Sequence, residues 1–364
     1  MLITIFFNKS FWLRKISIPV WGLAIFALII SASIMIALMW KNPFTQAIVT
    51  SQAPPIAASD QKQSDFHWFL DGRVVNSSEE EYARPYAVMI DHSIDSGNAS
   101  GIDKASVVIE TLVEGGVTRL MAFFYPQEEI QEIGPVRSAR PYFVDFAQGF
   151  GAVYVHAGGS PTALMLIKNK GIDDLNEVSG DGNYFWRDSS KFAPHNLYTA
   201  SKYIAKAWNI KGWNTKRKNI SPWQWKEFTD EALHNGSTIS IDFSRFAYSV
   251  EWRYNTQTQQ YERFVAGKKV LTSDTSLVVS KNILVQFVTI GLEDALRLTM
   301  KTIGTGKAYI CTQAVCKEGE WKRDNETQPT SFFVTNNGSN EQARLTQGNI
   351  WIEIVPQGRA VSFQ

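Results

Sequence analysis

Only two cysteines occur in 364 residues, Cys311 and Cys316, so the first 310 residues hold no thiol for lipid attachment or nucleophilic chemistry. The five histidines show no H-x-x-x-H or H-x-x-E-H spacing, and neither they nor Asp91, Glu114, Asp145 and Asp188 spell out a metal site. No metal and no cofactor is expected. An excess of basic charge is also missing: Lys+Arg 36 against Asp+Glu 35 leaves +1, which excludes the basic face of a nucleic-acid binder. Charge is absent altogether from Ile16 to Trp40, and no acid precedes Asp60. With 44% hydrophobic and 20% charged residues, the chain has material for a core and about two domains, so disorder is not its dominant state.

The uncharged run reaches roughly 37 Å as a helix, enough to cross a bilayer. Lys9, Arg14 and Lys15 precede it and only Lys41 follows closely, so the positive-inside rule places residues 1–15 in the cytoplasm and the body outside. These four basic residues carry +4 against a total of +1, which leaves the remainder at −3. A cleaved signal peptide is the competing reading, since Ser31-Ala32-Ser33 offers small residues; the length of the run favours a retained transmembrane anchor over 16–40. Residues 41–65, rich in Ala, Pro, Gln and Ser, read as a flexible linker.

The body changes character near residue 220. Over 66–220, apolar β-rich runs (Tyr86–Ile90, Ser106–Leu112, Leu120–Tyr125, Gly151–Val155) mix with helical spacing at 138–150, 161–168 and 200–208. Over 221–364, short alternating runs separated by turn signals such as Ala266-Gly267 and Asn337-Gly338 predict a mostly β region. The fold class is α+β: a mixed sheet with helices in the N-terminal domain, then a mostly β C-terminal domain. Trp208, Trp213, Trp223 and Trp225 surround the junction and read as packing between the halves, with glycan stacking as the alternative. Cys311 and Cys316 have the spacing of a disulfide closing a short hairpin.

Between the apolar runs lie polar strings that a core does not need. Arg84-Pro85 leads into a strand ending in Asp91. Glu110 and Glu114 precede Gly115-Gly116, whose freedom to take positive φ brings the acids and Arg119 to one edge; a buried Glu110 then pairs with Arg119 or Arg84. Arg137, Ser138 and Arg140 open the helix containing Asp145. Ser138 as N-cap would set both arginines at the positive end of the helix dipole, an anion receptor, or the arginines pair structurally with the nearby acids. His156, Gly158, Gly159 and Ser160 form a strand end, a turn and a helix start. Arg187, His195 and Asn196 complete the candidate ligand-binding set.

The strings RPYAVMID (84–91), IETLVEGGVTRLMAFF (109–124), IGPVRSARPYFVDFA (133–147), VYVHAGGSP (153–161) and APHNLYT (193–199) resemble the YerB-like lipoprotein family of bacteria. In the second half, IGTGKAYI (303–310), EWKRDN (320–325), PTSFF (329–333) and LTQGNIWIEIVP (345–356) are similar to its C-terminal domain. The resemblance covers nearly the whole body and implies an extracytoplasmic, envelope-attached protein of two domains. It supplies no activity. The family's N-terminal lipobox cysteine is missing here, which points to the helix as the anchor.

Three functions remain open. An Arg/acid cleft binds an anionic wall glycan or lipid-linked precursor. Alternatively the same cleft is a peptidoglycan-cleaving or glycan-phosphotransfer enzyme, with Glu114 and Asp145 as catalytic acid/base candidates. Thirdly, the chain is a non-catalytic scaffold for wall-synthesis proteins. The expected partners are the wall glycan and the membrane, with no nucleic acid.

Overall fold

A computed structural model describes residues 2–4, 17–19, 66–215, 222–226, 235–336 and 339–364. Two units separate along the chain, 1–61 and 62–364. In the first, Leu2–Thr4 pairs antiparallel with Ser17–Pro19. Residues 17–19 form a strand rather than part of the helix expected over 16–40; the rest of that run and the linker over 41–65 lie outside the described residues. Among the described residues no helix is long and apolar enough to cross a membrane.

In the second unit the apolar runs become strands of one eleven-stranded sheet. The N-terminal half supplies β1 (Tyr86–Asp91), β2 (Val107–Leu112), β3 (Thr118–Phe124), β4 (Val153–His156) and β5 (Asp174–Asn176). Helices α1 (Pro141–Phe150), α2 (Pro161–Lys170) and α3 (Ser201–Lys211) lie between and after them. The C-terminal half begins with β6 (Thr238–Asp242), β7 (Ser249–Asn255) and β8 (Gln260–Val265). It continues with β9 (Asn282–Val288), β10 (Gly304–Thr312), β11 (Val315–Arg323), β12 (Ser331–Asn336) and β13 (Ser339–Gln342). Last come β14 (Ile350–Pro356) and β15 (Val361–Phe363).

Sheet order is β13-β12-β11-β10-β9-β14-β2-β3-β1-β4-β5. The expected α+β class, mixed sheet and strand-rich second half are all present, and one sheet runs through both halves. The join is β14, held parallel by β9 on one side and by β2 on the other. A smaller antiparallel sheet, ordered Lys268–Lys269, β8, β7, β6, β15, covers part of one face.

Period-two alternation divides the large sheet into two buried faces. Ala87 and Met89 of β1 pack with Tyr142, Phe143, Phe146 and Phe150 of α1 and with Ala163 and Ile167 of α2. Val88 and Ile90 pack on the other face with Ile204 and Trp208 of α3 and with Ile239, Val250 and Trp252 of the smaller sheet. Trp223 sits between Phe150 and Phe332, one from each half, while Trp208 and Trp213 pack on each other.

Two local readings change. The helix expected from Ser138 begins at Pro141, and its N-cap is Arg140 with no side-chain cap, because the backbone of 135–139 bonds to the sheet instead. Strand β11 escaped the apolar pattern because Lys317, Glu318 and Lys322 point outward, and few positions, Trp321 among them, are buried.

Cys311 and Cys316 face each other across β10 and β11 as a disulfide. Their turn places Gln313 and Ala314 at positive φ. Closing so short a loop removes little chain entropy, so replacing both cysteines by Ala should cost about 2 kcal/mol. Urea unfolding of the purified double variant checks this, and a loss near zero would show that the hairpin is set by its neighbours alone.

Candidate functional site

β1 and β4 pair in parallel over Tyr86–Val88 and Val153–Val155 and then separate. The strip 135–139 enters between their carboxyl ends: Pro135 O accepts from Asp91 N, Met89 O from Arg137 N, and Gly158 O from Ala139 N. This places Arg137, Ser138 and Arg140 against Asp91 at the end of β1 and Arg119 at the start of β3. Asp91 and Arg119 are cross-strand neighbours. The carboxyl ends of parallel strands, where such a strip can enter, are where open sheets commonly hold ligands.

Asp91 is buried. Its Oδ2 meets His195 Nδ1 at 2.6 Å and Arg137 Nε at 3.2 Å, and Oδ1 accepts from Ser93 N. Burial opposes its charge, yet Arg137, the Ser93 N–H and His195 together hold Asp91 below the usual carboxylate range. Glu114 receives Arg140 as a fork, Nε to Oε1 at 2.5 Å and Nη2 to Oε2 at 2.9 Å, and against the penalty of burial this pairing also holds it low.

Arg119 differs. It is 6% exposed, donates through Nη1 to the Ser138 carbonyl at 3.0 Å, and forms no ion pair among the described residues. Burial, then Arg140 and Arg137, bring it down to about 10. Tyr154 lies close enough to feel both Arg119 and Arg140, and its buried hydroxyl has no hydrogen-bond partner among the described residues. Three guanidinium groups thus meet two carboxylates, with a buried cation and a buried hydroxyl left over.

The remaining candidates fall elsewhere or serve the frame. Glu110 does not meet Arg119 or Arg84: Arg119 is opposite Thr111, one position on, and therefore on the other face of the sheet. Arg84 pairs instead with Asp173 at 2.6 Å. Asp145 pairs with Lys170 at 3.1 Å and stands apart from Glu114 and Arg119. His156 is fully buried with both ring nitrogens engaged, by Gly158 O and Asp174. Gly158, at φ +61°, turns the chain and donates to Asn176, Gly159 bridges Ala139 too closely for a Cβ to fit freely, and Ser160 caps α2. Arg187 spans Glu177 and Asn196, and Asn196 in turn braces its own loop through Asp188 and Lys191.

A second charged cluster lies on the opposite face, and the polar strings do not point to it. Glu110 of β2 and Glu353 of β14 are cross-strand neighbours, both fully buried. Arg263 of β8 donates to Glu110 at 2.5 Å and to Glu353 at 3.3 Å, while lying over the rings of Trp351 and Trp252. His92 stands beside it, pushed down to about 4 by burial. The available signal was a charged residue at an inward position of an apolar run, as Glu353 is in IWIEIVP.

The geometry can be set beside known proteins. The model described as "Protein of unknown function (DUF3048) N-terminal domain" matches residues 70–214, and its C-terminal counterpart matches 239–352. "Putative lipoprotein YerB" of Bacillus subtilis (strain 168) is 30% identical over 286 residues, which covers 77% of this chain and 83% of that protein. The chain belongs to the YerB-like family. The crystal structure of YerB from Bacillus subtilis superposes with a TM-score of 0.71 at 27% identity, covering 82% of this chain and 99% of that one. Family membership accounts for the fold and names no chemistry. The five N-terminal motifs that carry the YerB-like resemblance are the segments bearing β1, the β2–β3 hairpin, the 135–139 strip, β4 and the His195 loop, which converge on the Asp91–Arg119 cluster.

Proposed function

We propose that this YerB-like chain is a membrane-anchored, extracytoplasmic envelope protein. Its Arg119–Arg137–Arg140 cluster binds an anionic wall glycan or lipid-linked precursor. The observation that supports this is Arg119: a guanidinium 6% exposed, without a carboxylate partner and pressed by two further arginines. A buried cation with no ion pair of its own among the described residues is costly, and a bound phosphate or carboxylate offsets that cost. The basic N-terminal flank, the uncharged run over 16–40 and the description of the relative as a lipoprotein support the location.

The test titrates the purified protein with lipid-linked pyrophosphate precursors and with muropeptides, and sediments it with intact sacculi. Arg137 and Arg140 reach the surface, and removing one charge-assisted hydrogen bond to a ligand costs about 1.5–3 kcal/mol, so Arg137→Ala should weaken binding by about tenfold or more. Unchanged binding in Arg137→Ala and Arg140→Ala would sink the reading.

An enzymatic version rests on a different contact. Glu114 is bound by both oxygens to Arg140 and Asp145 lies apart, but His195 is held through Nδ1 by Asp91, the arrangement that orients an imidazole for proton transfer through Nε2. Soluble muropeptides released by the wild type and lost in His195→Gln would select this version over pure binding.

A further inference from the structure

On the face of the sheet opposite the arginine cluster, a cavity of about 470 Å³ opens between the 92–102 loop, the turn after β8 and Trp351. Its charged lining is Arg263, Lys268 and Lys269, with the neutral imidazole of His92 beside them and no Asp or Glu among its walls; Leu120 and Val270 are among its apolar residues. Lys269 is answered from outside by Glu262. Arg263 is 1% exposed, and its Nε and the Nε1 of Trp351 are buried donors with no acceptor among the described residues. Glu110 and Glu353 engage the other end of the guanidinium, so the two orphaned donors belong to residues that line the cavity. Buried donors in native proteins find partners, and a concave, mostly apolar space with a few converging polar groups is the usual form of a small-molecule site.

We propose that this cavity binds a small organic anion, a carboxylate or phosphate on an apolar ring or short chain. Arg263 and Trp351 supply the polar end of its wall, Lys268 draws it in, and the apolar wall takes its body. The site is separate from the Asp91–Arg119 cluster, because His92 and Arg263 lie on the other side of the sheet from Asp91 and Arg119. It stands whether or not that cluster binds a wall component.

Calorimetric titration of the purified full chain in nonionic detergent provides the test, with 4-phenylbutyrate and phenyl phosphate as probes and 4-phenylbutanol as the uncharged control. The expected result is a saturable site that Arg137→Ala leaves in place, with at least one anion bound there tenfold or more tighter than the alcohol; whichever anion prevails separates a carboxylate source from a phosphate source. Ala99→Trp, which fills the cavity from its lining, should weaken binding at least tenfold. Lys268→Glu should weaken it severalfold, and Arg137→Ala should leave it unchanged. Thermal melts check that the variants fold, and the exposed Lys268 carries the test if Ala99→Trp does not. No saturable heat, equal binding of the alcohol, or unchanged affinity in both cavity variants overturns the proposal.

Discussion

Arg263→Met should lower the unfolding free energy by about 3–5 kcal/mol, measured by urea denaturation at neutral pH. Arg263 is the cation facing Glu110, and its guanidinium is enclosed by Trp252 and Trp351. Met fills much of the same volume, so a change in packing contributes little and the cost comes from leaving an ionised carboxylate in a dry interior. The companion variant makes the reason testable. Arg263→Met with Glu110→Gln removes both charges and should recover a large share of the loss; a double variant as unstable as the single would show that packing, not charge, sets the cost.

The two acids around Arg263 should behave unequally. Burial raises both, but Arg263 lies nearer Glu110 and holds it low, whereas burial and the neighbouring Glu110 charge push Glu353 well above the usual range. Glu110 therefore contributes stability that is present above the normal carboxylate pKa and lost as pH falls. Glu353 has the opposite sign: its contribution is full below that pKa and fades as pH rises towards its raised folded value. Glu353→Gln mimics the protonated form, so it should be near neutral at pH 5 and should flatten the fall in stability on the alkaline side. Glu110→Gln should cost less than Arg263→Met, because Glu353 can release its proton and answer Arg263. Removing both acids leaves the cation alone and should cost about 3–5 kcal/mol. Urea curves of the three variants from pH 5 to 9 check the pattern. Additive single costs would show that the two carboxyls do not share one charge.

Much of the architecture was legible because alternation and turn chemistry are local. The runs 86–91, 107–112 and 118–124 are strands near where their apolar residues placed them, and Gly115 and Gly116 both take the positive φ that their turn needs. The arginine strings were legible as a site because a core has no use for them. Their grouping was less so: Asp145 sits in the same helix that Arg140 opens, yet its side chain turns towards Lys170 on α2. The partner of Glu110 was beyond local reasoning, since Arg263 lies 153 residues away and reaches it only because a second sheet packs on that face. Face assignment alone would have excluded Arg119, whose neighbour across the ladder is Thr111.

The central position of β14 has a bearing on how the chain reaches its final form. Residues 107–112 are flanked on one side by β3, available within a few residues, and on the other by a strand some 240 residues downstream. Until residues 350–356 have emerged, β2 presents an open apolar edge of the kind that recruits foreign strands. The N-terminal half cannot finish folding as it is made, and pairings of such long sequence separation form slowly. A chain built this way closes its large sheet only when its last strands are present, so the two halves are joined in a late step of folding.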